Sequence, residues 1–290
     1  LRGKGIAFGA ISIVNAIATG NGAALGIRLK TEAEVELIEN SDQIDVNIIG
    51  SDNEEDKILA KYAVKEVLNN LGYKNYGARV TTKSDIPIGK GLKSSSVASN
   101  AIVLATLAAL KTNLDDLKII NLGVNASIKA GVTITGAFDD ACASYFGGLV
   151  ATDNINRVIE KREILEEDYH IVIYAPREKV YTKNVDKARL KKFDSFFKEA
   201  YSLVMKGEYW EAMVLNGLAC SAALGFSVKP ILKALLAGAK GSSLSGKGPA
   251  IAAVCHPNRV DEIASAWSDL PGDIILTRIN YEKAKAVILD

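Results

Sequence analysis

Histidine and cysteine are scarce in this chain, and their scarcity removes several kinds of chemistry at once. His170 and His256 stand far apart, as do Cys142, Cys220 and Cys255. No two of them have the close spacing with which such residues hold zinc or an iron–sulfur cluster. Three cysteines in apolar or small-residue surroundings are no disulfide framework either; they suit buried free thiols in a reducing, cytoplasmic setting. Long apolar runs are missing too. The longest, residues 97–110, is broken by Ser99, Asn100 and Thr106, and it falls short of the ~18 residues that span a bilayer. Residues 1–17 begin basic and turn apolar, but Ser12 and Asn15 interrupt them and strand-like sequence follows, which argues against a signal peptide. An excess of one charge is also lacking. Thirty-five Lys and Arg face 34 Asp and Glu, for a net charge of +1 without a basic block, so neither nucleic acid nor a membrane is an expected partner. Proline-rich linkers, repeats and low-complexity tracts do not occur. The sequence leaves the oligomeric state open, and a homo-oligomer is compatible with it.

What is present is an ordinary globular balance, 48% hydrophobic and 24% charged over 290 residues, which is more than one small core needs. Residues 4–14 and 23–37 read as strands, and 44–49 as a continuation of that hairpin or meander. Residues 52–71 carry apolar positions at helical spacing, 78–83 form a short strand, and 85–93 a loop. Helices occupy 94–110, 113–129 and 138–146, and Gly147-Gly148 punctuates the chain before Leu149-Val150-Ala151. Beyond it come a strand at 171–175, helices over 193–237, a strand at 251–255, a helix at 260–267 and a last strand at 274–279. The expectation is two α+β layers, each a sheet covered by helices, divided into residues 1–150 and 151–290.

One segment carries most of the chemistry: Pro87-Ile88-Gly89-Lys90-Gly91-Leu92-Lys93-Ser94-Ser95-Ser96-Val97-Ala98. Gly89 and Gly91 let the backbone approach an anion and adopt positive φ. The serines open a long helix whose first N–H groups lack intrahelical partners and whose dipole is positive there. A phosphate chain suits that place, with Lys90 and Lys93 for charge and serine hydroxyls for phosphate or Mg²⁺. The plainer alternative is a turn followed by serine caps. A second loop, Gly241-Ser242-Ser243-Leu244-Ser245-Gly246-Lys247-Gly248-Pro249, comes close to a Walker A pattern. It departs where Gly248 replaces the Mg²⁺-binding hydroxyl and where a strand, not a helix, comes after Pro249. A flexible loop bordering a ligand remains, with a simple turn as the alternative. Finally, Thr135-Gly136-Ala137-Phe138-Asp139-Asp140-Ala141 sets two carboxylates at a helix start. They could serve as caps, or orient and deprotonate an alcohol that attacks the γ-phosphate of ATP.

These segments, in this order, resemble the GHMP kinase superfamily of galactokinase, homoserine, mevalonate and phosphomevalonate kinases. Pro87 to Ala98 is similar to the family's second motif, Gly241 to Pro249 to its third, and Gly3-Lys4-Gly5-Ile6-Ala7-Phe8-Gly9 to its first. The resemblance implies an N-terminal half like ribosomal protein S5 domain 2, a ferredoxin-like C-terminal half, and ATP with Mg²⁺ between them. Residues 87–97 would bind the nucleotide together with Ser243, Gly246 and Gly248, and Ser95 would reach the metal. The family's catalytic aspartate falls on Asp139 when the Phe-Asp dipeptide is aligned, and on Asp140 when counted back from Gly147-Gly148. Its first-motif lysine falls on Lys4, which could pair with that aspartate. The chain departs from its relatives where several supply a glutamate to Mg²⁺, since none comes after Ser96 in the helix. Asn15-Ala16-Ile17-Ala18-Thr19-Gly20, the serine triplet and the Phe-Asp-Asp sequence look most like the archaeal shikimate kinase branch. That likeness implies ATP-dependent conversion of shikimate to shikimate 3-phosphate on the way to chorismate and the aromatic amino acids. Asn15, Thr19 and Asn21 lie where relatives bind the acceptor. Arg177, Tyr181, Thr182, Lys183 and Arg189 come after a strand, in a region that faces the acceptor in relatives. The rival readings are the same fold with homoserine or mevalonate as acceptor, a nucleotide-binding regulator without catalysis, and a structural interaction module.

Overall fold

The computed structural model describes residues 1–87, 89–133, 135–177 and 186–289. Its first sheet reflects a period-two pattern. In β2 (Asn21–Glu39), Thr31, Ala33, Val35 and Leu37 are buried, while Glu32, Glu34 and Glu36 lie on the more open face. β2 runs antiparallel to β1 (Arg2–Val14) in a long central hairpin. The strand β3 (Ile44–Ile48) does not continue that hairpin as the sequence suggests. It pairs in parallel with β4 (Tyr76–Ser84), across a connection that contains helix α1 (Glu54–Asn70). A parallel pair needs such a crossover. β5 (Leu149–Asp153) pairs with β2, β6 (Val158–Glu163) with β5, and β11 (Lys285–Leu289) with β1, completing seven strands. The division expected at residue 150 therefore falls inside β5. The first sheet extends to Glu163 and is rejoined by residues 285–289.

Helix α2 (Ser94–Ala109) is buried along most of its length and lies directly on the backbone of β1. A Cβ on Gly5 would stand 1.9 Å from the Ala101 carbonyl oxygen, so only glycine admits this approach. α3 (Asp116–Lys129) and α4 (Phe138–Phe146) pack beside it.

The second sheet holds β7 (His170–Pro176), β8 (Gly241–Leu244), β9 (Ile251–Cys255) and β10 (Gly272–Arg278), all antiparallel. Helices α5 (Lys187–Lys191), α6 (Asp194–Lys206), α7 (Tyr209–Leu224) and α8 (Lys229–Leu236) lead from β7 to β8, and α9 (Val260–Ala266) leads from β9 to β10. The first strand of this unit lies between its third and its last, the ferredoxin-like arrangement. The three cysteines are buried and free, and burial pushes the Cys220 thiol up to about 12. Among the described residues no helix is long and apolar enough to cross a membrane, and no group of His, Cys, Asp and Glu could hold a metal ion.

Candidate active site

A cavity opens where the start of α2, the start of α4 and the turn between β8 and β9 converge. At the first of these, Lys93 takes a left-handed backbone (φ 67°) and caps α2 without offering a side-chain acceptor to its N–H groups. That conformation is uncommon outside glycine. It leaves Ser94, Ser95 and Ser96 lining the cavity at the positive end of a sixteen-residue helix. Gly91 (φ 82°) sits so close to the second glycine-rich loop that a Cβ would meet the Ser245 carbonyl oxygen at 2.2 Å. The two loops are joined by hydrogen bonds from Ser245 Oγ to the Gly91 carbonyl (2.9 Å) and from Ala250 N to the Lys90 carbonyl (3.0 Å). β1 holds the same turn, with Gly246 N donating to Ser12 Oγ (3.0 Å) and Asn15 Nδ2 to the Gly246 carbonyl (2.8 Å).

The acidic pair forms the opposite wall. Asp139 and Asp140 are 3% and 7% exposed, in the first turn of α4, and both line the cavity. Lys93 Nζ lies 2.7 Å from Asp140 Oδ1, so the phosphate loop and the carboxylates share one ion pair. Burial and the neighbouring Asp139 charge push the Asp140 carboxyl up to about 7, against the pull of Lys93 and Lys247. Burial, together with Lys93, lowers the Lys247 ammonium to about 8, while Glu55 and Asp140 oppose the shift. Asp139 is held differently. Asn154, in the turn after β5, donates from Nδ2 to Asp139 Oδ1 (2.8 Å) and accepts from Asp139 N (3.1 Å).

Of the residues picked out in the sequence, Asn15, Gly89, Gly91, Lys93, Ser94, Ser95, Ser96, Asp139, Asp140 and Gly246 line this cavity together. Others do not. Lys4 pairs with Glu32 at 2.6 Å on the face of β1 away from α2, because Gly3 and Gly5 are the residues that meet the helix. The cation beside the carboxylates is Lys93. Ser243 lies in β8 and is fully buried, accepting from Asn216 Nδ2 (2.9 Å), so the expected flexible loop is half strand. Gly248 and Pro87 lie outside the lining, while Leu92 and Val97 are core residues. Lys90 is buried, with Nζ donating to the Pro176 carbonyl. Thr19 and Asn21 shape their own turn, the Thr19 hydroxyl bonding Asn21 N and O at 3.2 Å each. Ile88, Tyr181 and Thr182 lie outside the described residues. The sequence reading missed the wall made by Asn53, Glu55 and Asp56, although Asn53 before three acids is a legible helix start. It also missed Asn154, which no spacing could have tied to Asp139.

A helix start rich in hydroxyls thus faces an acidic pair across one lysine, an arrangement whose free N–H groups and dipole suit an anion. Family models for the GHMP kinase N-terminal and C-terminal domains match residues 58–148 and 207–272, and the chain belongs to the GHMP kinase family. Among solved structures it is similar to a homoserine kinase from Cytophaga hutchinsonii, with a TM-score of 0.77, 18% identity and coverage of 99% of this chain and 97% of the other. A mevalonate kinase from Methanococcus jannaschii gives 0.77 at 16% identity, covering 96% and 98%. Two much nearer relatives in sequence are both named shikimate kinase. One, from Methanosarcina mazei, is 46% identical over 98% of this chain and 96% of its own length. The other, from Pyrococcus abyssi, is 45% identical over 96% and 100%.

Proposed function

We propose that this protein transfers the γ-phosphoryl group of ATP to a hydroxyl of shikimate, giving shikimate 3-phosphate and ADP. One observation carries the reading: the start of α2, with its three serines, and the Asp139–Asp140 pair line the same cavity and are linked through Lys93. The nucleotide phosphates would lie over Gly91 and the α2 N-terminus, where backbone and hydroxyl donors stabilise charge on the transferring group. The donor set also suits Mg²⁺, which takes oxygen ligands and shares them with nucleotide phosphates. The Ser95 hydroxyl would hold it, and the ion, when bound, offsets phosphate charge. Asp139 is the base. It takes the proton of the attacking hydroxyl as that oxygen bonds to the γ-phosphorus and the bond from that phosphorus to the ADP oxygen breaks. Lys93, between the two walls, stabilises the transferring group and balances the carboxylates.

The acceptor rests on the two relatives named shikimate kinase, which match nearly the whole chain, whereas the homoserine and mevalonate kinases share its fold. The test is ADP release from MgATP with shikimate, homoserine and mevalonate supplied separately. Release with shikimate alone is expected. Release only with another alcohol overturns the acceptor, and nucleotide binding without turnover on any of the three favours a regulator.

A further inference from the structure

The two carboxylates of the site are adjacent in sequence, yet the fold treats them unequally. Asp140 faces Lys93. Asp139 faces Asn154, a neutral residue fifteen positions away and 4% exposed. Asn154 Oδ1 accepts from both the Asp139 backbone N–H (3.1 Å) and the Thr152 hydroxyl (2.7 Å). Its two lone pairs are thereby used, so the amide has one orientation and Nδ2 must face the Asp139 carboxylate. Nδ2 also reaches Thr135 Oγ1 at 3.4 Å. The backbone of Asn154 is fixed in turn, donating to the Gly20 carbonyl at 2.8 Å.

The second carboxylate oxygen packs against β2 on one side. A Cβ on Gly22 would fall 2.5 Å from Asp139 Oδ2, so β2 runs directly beneath that oxygen. The helix start gains as well. Ala137, at the cap position of α4, has no side-chain acceptor to offer, and Asn154 Oδ1 takes up the N–H of Asp139 from outside the helix.

We infer that Asn154 is the positioning residue of this kinase: its amide clamps the Asp139 carboxylate in one orientation and thereby makes Asp139, not Asp140, the base that faces the acceptor hydroxyl. The inference rests on the phosphoryl-transfer reading of the site but not on the identity of the acceptor. Asp140 and Cys142 on the same helix feel the Asp139 charge, Arg162 acts on Cys142 as well, and Lys93 at the start of α2 and Lys247 on the β8–β9 turn act on the adjoining Asp140. β2 contributes only Gly22 beneath Oδ2, and the turn after β5 contributes the neutral Asn154.

Asn154→Asp tests this in the full chain. It keeps an oxygen to cap Asp139 N but sets a second carboxylate against the first. With whichever of the three alcohols supports turnover, kcat at neutral pH should fall roughly tenfold to a hundredfold, the size expected for losing a hydrogen bond to a charged group. KM for ATP should stay within about twofold, because the phosphate loop is untouched. The acidic limb of the kcat profile should move to higher pH, and activity should partly recover there. The carboxyl ¹³C resonance of Asp139, assigned by its loss in Asp139→Asn, should titrate upward by a comparable amount, a readout that needs no turnover. An unchanged pH profile and unchanged resonance overturn the inference, as does a fall in kcat matched by an equal loss of nucleotide affinity. If Asn154→Asp does not fold, Asn154→Ser removes the amide donor and adds no charge. It must still lower kcat at constant KM for ATP, and an unaltered kcat there overturns the inference too.

Discussion

The two glycine-rich loops have nearly the same composition and do different work. In the loop before α2 the serines are the first turn of a helix, and they face the cavity. In the loop after α8 the serines are strand and turn residues, and Ser242, Ser243 and Ser245 are fully buried. Only Gly246 and Lys247 of that loop reach the cavity wall. The difference lies in the element to which each loop leads. A helix leaves orphan N–H groups and a dipole at the loop's end, whereas a strand spends its N–H groups on its neighbour. The first loop faces the cavity and the second is a frame that holds it, through Ser245 to Gly91 and Ala250 to Lys90.

Several substitutions should break or sharpen that contrast. The largest effect belongs to the carboxylate proposed as the base, across the cavity from the first loop. Asp139→Asn should lower kcat by roughly 10²–10⁴, with ATP affinity by calorimetry nearly unchanged. Lys93→Met, on the first loop itself, should cost about 10²–10³ in kcat, the scale of one lost electrostatic donor, and steady-state kinetics will show it. Ser95→Phe should weaken nucleotide binding at least roughly tenfold, about 1.4 kcal/mol, as read by ADP titration. An equally large loss from the second loop would erase the distinction. Ser243→Ala should instead leave kcat alone. It strands the amide of Asn216 and should lower stability by about 1–3 kcal/mol in denaturant unfolding. The last effect is one of pH. Folded Asp140 keeps its proton up to about 7, while the unfolded chain releases it near 3.8. Its contribution to stability is thus present at low pH and lost as pH rises through that window. Asp140→Asn should therefore gain on the parent in melting temperature as pH rises from 3.8 to about 7.

Much of the fold was legible. The helix at Phe138–Phe146 and the strand at Ile251–Cys255 have the bounds read from the sequence, since apolar runs and glycine punctuation mark both. Three strands escaped notice. β6 reads VIEKRE and alternates between exposed and half-buried positions, so it presents no apolar face. β8 is hidden by its serines, of which Ser243 is satisfied in its buried place by Asn216 Nδ2 and the Leu244 carbonyl. β11 lies at the sheet edge with four of its five residues exposed, and nothing in its pattern asks for a partner. In the site, the residues of the loop before α2 and the acidic pair stood out because glycines, serines and paired carboxylates at helix starts are local signals, and the structure brings them to one cavity. Lys4 lies away from the carboxylates because the glycines around it, similar to the family's first motif, serve helix–strand packing and turn its side chain to Glu32. Asn154 and the start of α1 come to the cavity only through tertiary structure, and no local pattern reports that.

The pairing of residues 285–289 with residues 2–6 has a consequence for synthesis on the ribosome. β1 is made before the whole second sheet, and the segment that covers one of its edges only after it. Until then a nascent chain carries a strand edge open to other chains, the kind of surface that seeds aggregation. Closing it is a contact of very long sequence separation, which ordinarily forms late in folding. The first sheet, on which α4 and its acidic pair pack, is therefore completed only after the residues of the ferredoxin-like unit have been made.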